Sequence, residues 1–151
     1  MSVFVADEQA RPVDVDRLRQ LAEFVLADLR VPQAMELSVL CIEPDAIAEL
    51  NAHHMGSTGP TDVLAFPIDL PGETLPGEPA ILGDVVLCPV VADRQAGDHG
   101  VTLDQELELL VVHGILHLLG HDHAEPDEER AMTQQTQRLL AGFRALPGAH
   151  P

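Results

Sequence analysis

The sequence predicts a small mixed α/β (α+β) domain, on three observations. Apolar runs rich in β-branched residues alternate along the chain with segments of helical apolar spacing. The 151 residues are 46% hydrophobic and 22% charged. No repeat, low-complexity tract or composition break divides them. A chain of this length buries about two-thirds of the surface its unfolded form exposes. One core then closes without a disulfide, and residues 1–151 are expected to form a single domain.

Each element has a local cause. Ser2 to Ala6 reads as a first strand, after which Asp14 caps a helix whose apolar positions Val15, Leu18, Leu21, Ala22, Val25, Leu26 and Leu29 recur at helical spacing. A strand follows at Glu36 to Ile42, and Pro44 opens a second helix to Asn51 with Ile47, Ala48 and Leu50 on its apolar face. Asp62 to Ile68 is the next strand. Pro71, Gly72, Pro76, Gly77 and Pro79 punctuate a surface loop before a strand at Ile81 to Cys88 and a short helix at Val90 to Ala96. Thr102 and Gln105 form a capping box for a helix that runs to Leu119, where Gly120 takes the left-handed conformation that ends it. A last amphipathic helix, Pro126 to Ala145, turns Met132, Leu139, Leu140 and Phe143 inward.

Charge narrows the function. The net charge is −17, and all eight basic residues are arginine. A dense cationic stripe for phosphates cannot be assembled from them, so any nucleic-acid recognition rests on a local arginine, a metal ion or a larger assembly. No apolar run approaches the roughly 18 to 20 residues of a membrane span, and the N-terminus lacks a basic start and a cleavage pattern. A cytoplasmic protein with no membrane partner is expected. Cys41 and Cys88, each in an apolar strand-like run, read as reduced core cysteines.

The chemistry concentrates in His113-Gly114-Ile115-Leu116-His117-Leu118-Leu119-Gly120-His121-Asp122-His123, which holds four of the eight histidines. His113 and His117 stand one helical turn apart, about 6 Å along the axis, so their imidazoles can converge on one ion. Gly120 lets the chain turn back, bringing a third imidazole from the following segment to the same ion; spacing alone leaves His121 and His123 both open. Three ligands and one open position describe a catalytic zinc site, and the lack of cysteine-rich or carboxylate-rich surroundings favours zinc over iron–sulfur, calcium or magnesium. Peptidases of the H-E-x-x-H kind carry glutamate after the first ligand; Gly114 stands there instead. Glu106, two turns before His113, reads as a solvated first-turn charge, with orientation of a histidine or water as the alternative.

These residues resemble the YbeY family of bacterial endoribonucleases, the rRNA maturation factors, whose signature is H-G-x-L-H-L-x-G-[YH]-D-H. Gly59-Pro60-Thr61-Asp62-Val63-Leu64-Ala65-Phe66-Pro67 resembles the family's P-T-D-V-L-S-F-P, with Ala65 where serine is common. Leu82-Gly83-Asp84-Val85-Val86-Leu87-Cys88-Pro89 is similar to its L-G-D-I-V-I-C stretch. The resemblance covers nearly the whole chain. It implies a small α/β domain with a mostly four-stranded sheet packed with helices and a zincin-like metal-binding helix. It also implies one Zn(2+) per chain held by His113, His117 and His123, which act catalytically through the bound metal and its water. His121 then becomes support or loop surface.

The implied role is cleavage of single-stranded RNA at the 16S rRNA 3′ end and late ribosome quality control, with the small ribosomal subunit or a ribosomal protein as partner. Many relatives carry an arginine a few residues before P-T-D that is proposed to contact the RNA phosphate. Alignment puts Met55 there, which leaves that role vacant, and Arg94 lies on another element as a helix-surface charge. Thr61 and Asp62 either shape the cleft or cap the turn before their strand, and Asp84 is a candidate for bonding backbone near the site. His53 and His54 complement a helix C-terminus.

Two alternatives accompany the nuclease. One is a ribosome-assembly binding protein with a mainly structural zinc, which the negative charge favours because a basic ribosomal protein is attracted where naked RNA is repelled. The other is a zinc-dependent amide or ester hydrolase, against which the missing glutamate stands.

Overall fold

Alternation along the central strands sets the layers of the molecule. This computed structural model describes residues 2–73, 75, 77–121 and 125–147. Among them the chain runs β1 (Ser2–Glu8), α1 (Val15–Asp28), β2 (Met35–Ile42), α2 (Pro44–Met55), β3 (Val63–Pro67), β4 (Ala80–Leu87), α3 (Pro89–His99), α4 (Leu103–Leu118) and α5 (Pro126–Arg144). The sheet has the order β1-β2-β4-β3. β1, β2 and β4 are parallel, with Val3 opposite Leu37 and Val39 opposite Val85, while β3 pairs antiparallel to β4 with Val63 opposite Leu87. This is the mixed, four-stranded α/β fold expected of the sequence.

Successive strand residues point to opposite faces. Leu37, Val39 and Cys41 of β2, with Val85 and Leu87 of β4, enter the large core formed with α1, α4 and α5. Ile42, Val86 and Cys88 meet Ile47 and Leu64 in a smaller cluster under α2. Cys41 and Cys88 are buried and free, in different clusters, as a reduced pair should be. Burial pushes the Cys41 thiol up to about 12, with Asp7 and Cys88 adding repulsion.

Helix starts follow the local signals. The Asp14 side chain accepts from Arg17 N at α1, the Thr102–Gln105 capping box is closed in both directions at α4, and proline opens α2, α3 and α5. Two helices extend past their expected ends. α2 reaches Met55 rather than Asn51, and α3 reaches His99 rather than Ala96, each halted by a left-handed glycine, Gly56 at φ 66° and Gly100 at φ 70°. The added turns are exposed, so they lack the apolar periodicity that reveals a helix.

α4 is the axis of the molecule. It packs against α1, α3, α5, β3 and β4 and is apolar on nearly every side, as a helix buried all round must be. At its end Gly120, at φ 93°, donates to His117 O and His121 N donates to Leu116 O, the paired bonds of a Schellman motif. Two carboxylates lie in its buried surface. Glu108 is held by Arg17 Nε at 2.7 Å and Arg144 at 3.2 Å. Glu106, only 2% exposed, is the other, and the expectation of a solvated charge there is corrected: it is buried where α4 packs against α3.

Candidate metal centre and cleft

His113 and His117 occupy the last two turns of α4, half-buried, because the flanking Val112, Gly114, Ile115, Leu116 and Leu118 are buried in the core and fix the helix's rotation. Their Nε2 atoms stand 3.0 Å apart, with ring centroids at 4.6 Å and planes at 72°. A tetrahedral zinc with bonds of about 2.0–2.1 Å separates two nitrogen ligands by about 3.3 Å. The observed pair is within a few tenths of an ångström of that spacing, and neutral imidazole nitrogens are donors that zinc accepts. The two rings therefore fit one zinc ion.

His123, the third ligand implied by resemblance, lies outside the described residues. Among the described residues no group of three or more His, Cys, Asp or Glu side chains converges as a metal site. His121 follows Gly120 as an exposed residue.

Beside the pair opens a cleft of about 500 Å³ between α3, α4, α5 and the start of β3. His113, Glu106, Asp62, His99, Gln95 and Glu129 supply its polar walls, and Leu109, Leu110 and Met132 its apolar floor. Asp62 is positioned from two sides. Its Oδ1 accepts from Val63 N at 2.8 Å and from the Thr61 hydroxyl at 3.2 Å, and its carbonyl accepts from Cys88 N at 2.9 Å. Asp62 thus bonds the backbone at the start of β3, Thr61 bonds the Asp62 side chain, and Asp62 also lines the cleft. The preceding loop is tied to α2 by Asn51, whose Nδ2 donates to Gly59 O at 3.0 Å.

Thr61 and Met55 are not among the residues lining this cleft; Met55 is 51% exposed at the end of α2. His53 and His54 sit in the last turn of α2, His54 edge-on to Phe66 with centroids 5.1 Å apart. Arg94 is exposed on α3, and Asp84 is half-buried opposite Ser38 and Phe66.

Sequence reasoning passed over His99. Its Nδ1 lies 2.9 Å from Glu106 Oε1, so the histidine that Glu106 holds comes from α3 rather than from the His113–His117 pair. That hydrogen bond and the charge of Glu106 raise the pKa of His99 above the ordinary value against the opposing effect of burial, with Asp98 adding a lesser push upward. The signal was Gly100, which stops a helix and so puts His99 in a last turn.

Comparison with known proteins agrees with the motifs. The model of the family described as Endoribonuclease YbeY matches residues 4–144. The Endoribonuclease YbeY of Thermobifida fusca is 51% identical over 149 residues, covering 95% of each chain. That of Salinispora tropica is 50% identical over 153 residues, covering 96% of this chain and 98% of its own. The solution structure of TM1509 from Thermotoga maritima shares the fold, with a TM-score of 0.60 and 24% identity over 99% of this chain and 96% of the other. With a family model spanning almost all of its length and relatives that keep half of its residues, this chain belongs to the YbeY endoribonuclease family.

Proposed function

We propose that the chain, acting as one domain over residues 1–151, is a cytoplasmic zinc-dependent endoribonuclease that cuts single-stranded RNA. We assign it to 16S rRNA 3′-end maturation and ribosome quality control on the small subunit. The observation that carries the reading is the 3.0 Å approach of the two Nε2 atoms, together with the open cleft that His113 of the pair lines. Membership of a family whose members are named endoribonucleases supplies the reaction class.

His113 and His117 hold the ion, and His123 supplies the third imidazole. Zinc bound there supplies Lewis acidity, lowering the pKa of water toward about 7 and neutralising charge that builds on a phosphodiester. The protein's own contribution is placement. α4 is locked by its packing, so the two donors stay fixed, as a preorganised site requires. The apolar floor of Leu109, Leu110 and Met132 limits water on one side, and Asp62, held by the Val63 amide and the Thr61 hydroxyl, gives a fixed acceptor on the other.

A binding role in ribosome assembly is favoured by the net charge of −17, which attracts a basic ribosomal protein. One experiment separates the two. The purified chain, with its metal measured, is compared with His117→Ala on single-stranded precursor RNA of the 16S 3′ end. Cleavage lost together with the metal supports the nuclease. Intact RNA in both reactions, with wild type still bound to small-subunit particles, establishes the binding role instead, and cleavage at full rate in the variant refutes a histidine-held metal.

A further inference from the structure

A cleft that receives RNA must offset phosphate charge, and this one is poorly equipped by its surroundings. The chain carries −17, and Asp62, Glu106 and Glu129 all line the cleft. No arginine lines it among the described residues. Arg11, Arg17, Arg19, Arg130, Arg138 and Arg144 are each committed to a carboxylate elsewhere. Of the described lining residues only His99 and His113 can carry a positive charge, and a histidine that ligates zinc is neutral.

We propose that His99, anchored through Nδ1 to the buried carboxylate of Glu106, is a phosphate-binding cation of the cleft, its Nε2–H donating to a non-bridging oxygen of single-stranded RNA. The assignment takes its substrate from the nuclease reading. The geometry is that of a polarised imidazole. The Glu106 side chain is 3% exposed and that of His99 56%, so one edge of the ring is tied down inside the protein and the other is open. A carboxylate only accepts hydrogen bonds, which puts a proton on Nδ1 and leaves Nε2 for a ligand. His99 also ends α3, where the helix dipole favours a cation. The charged and titratable groups around it are Asp98 on its own helix, Glu106 and His113 on α4, Glu129 on α5, and Asp62 before β3. Its raised pKa keeps the imidazolium populated closer to neutrality than in a free histidine. A histidine gains charge as pH falls, so the contact is complete below the ordinary value and is lost as pH rises through the raised one.

The test uses the zinc-loaded full chain and a fluorescent single-stranded 2′-O-methyl RNA oligonucleotide, read by anisotropy from about pH 5 to 8 and at several salt concentrations. His99→Gln is expected to weaken binding about fivefold at the acid end and to reduce the slope of log K against log salt by about 0.7, the signature of one lost phosphate contact on a single strand. His99→Arg should restore affinity and slope while flattening the pH dependence, which a merely structural role would not do. Glu106→Gln, checked for a native melting transition, should move the pH midpoint down. On cleavable RNA, His99→Gln should raise KM with little change in kcat. If wild type binds and cleaves while His99→Gln keeps its affinity, salt slope and pH profile, the assignment of His99 is overturned and the nuclease reading stands. If wild type neither binds nor cleaves RNA, the nuclease reading fails and the RNA role of His99 fails with it.

Discussion

A Cβ built on Gly114 would stand 2.7 Å from Val85 Cγ1 and 3.0 Å from Cγ2. The histidine-bearing helix therefore crosses β4 with no room for a side chain between the turns that carry His113 and His117. The same contact gives the missing glutamate a physical reason: a residue of that size after His113 would have to displace a buried β-branched side chain from the centre of the sheet. Val85 is short, β-branched and buried, so it has little freedom to give way.

Gly114→Ala should consequently destabilise the protein by about 1–3 kcal/mol, the usual cost of overpacking, despite alanine's better helix propensity. Urea denaturation measures it. In a double-mutant cycle with Val85→Ala the two changes should couple by about 0.5–3 kcal/mol in the compensating direction. Simple additivity would show that the close approach carries no strain.

Zinc should stabilise wild type and leave His117→Ala unmoved. At a free zinc concentration about 100 times its Kd, linkage gives about 2.7 kcal/mol, visible as a higher Tm, with metal analysis returning one ion per chain. The variant keeps one of the two converging nitrogens and should lose both signals. An equal Tm rise in both proteins would place the metal elsewhere.

Glu108→Ala should cost about 1–3 kcal/mol, less than breaking a fully buried ion pair, because the two arginines it releases already reach solvent. The two arginines are not equivalent. Arg17 is 17% exposed, bonds at 2.7 Å and lies over the Phe143 ring at 5.2 Å, whereas Arg144 is 37% exposed at 3.2 Å. Arg17→Ala should thus cost clearly more than Arg144→Ala, for which about 1 kcal/mol or less is expected. Chemical denaturation of the three variants gives the order, and a reversed order would contradict this account of the buried charge.

Cys41 should be inert to a thiol-specific disulfide reagent in the native protein. The reactive species is the thiolate, and a thiol pushed up to about 12 by burial is almost wholly protonated at pH 8. Its reaction should appear only with denaturant, at the rate of unfolding. Labelling of Cys41 in the native state, located by mass spectrometry, would mean that β2 opens locally.

Much of the architecture was legible because it is written in local rules. Asp14, Thr102 with Gln105, and the prolines at 44 and 126 start their helices through their own backbone chemistry, and Gly120 ends α4 through a conformation that only glycine adopts cheaply. The spacing of His113 and His117 likewise needs nothing beyond 3.6 residues per turn to put both rings on one side. The exposed last turns of α2 and α3 were not legible, since a helical turn that buries nothing leaves no apolar period to read.

What the sequence by itself determined was the set of elements, the reduced cysteines in separate apolar runs, and the pair of histidines one turn apart. What only the tertiary structure decided was the fate of the charges. Glu106 and Glu108 look alike along the chain, two residues apart in the first half of one helix. Packing sends one to His99 of α3 and the other to Arg17 and Arg144 of α1 and α5. The physical reason is that a buried carboxylate must find a donor, and the donor within reach is set by which helices pack around it, a contact between residues as far as 91 positions apart that no local rule encodes.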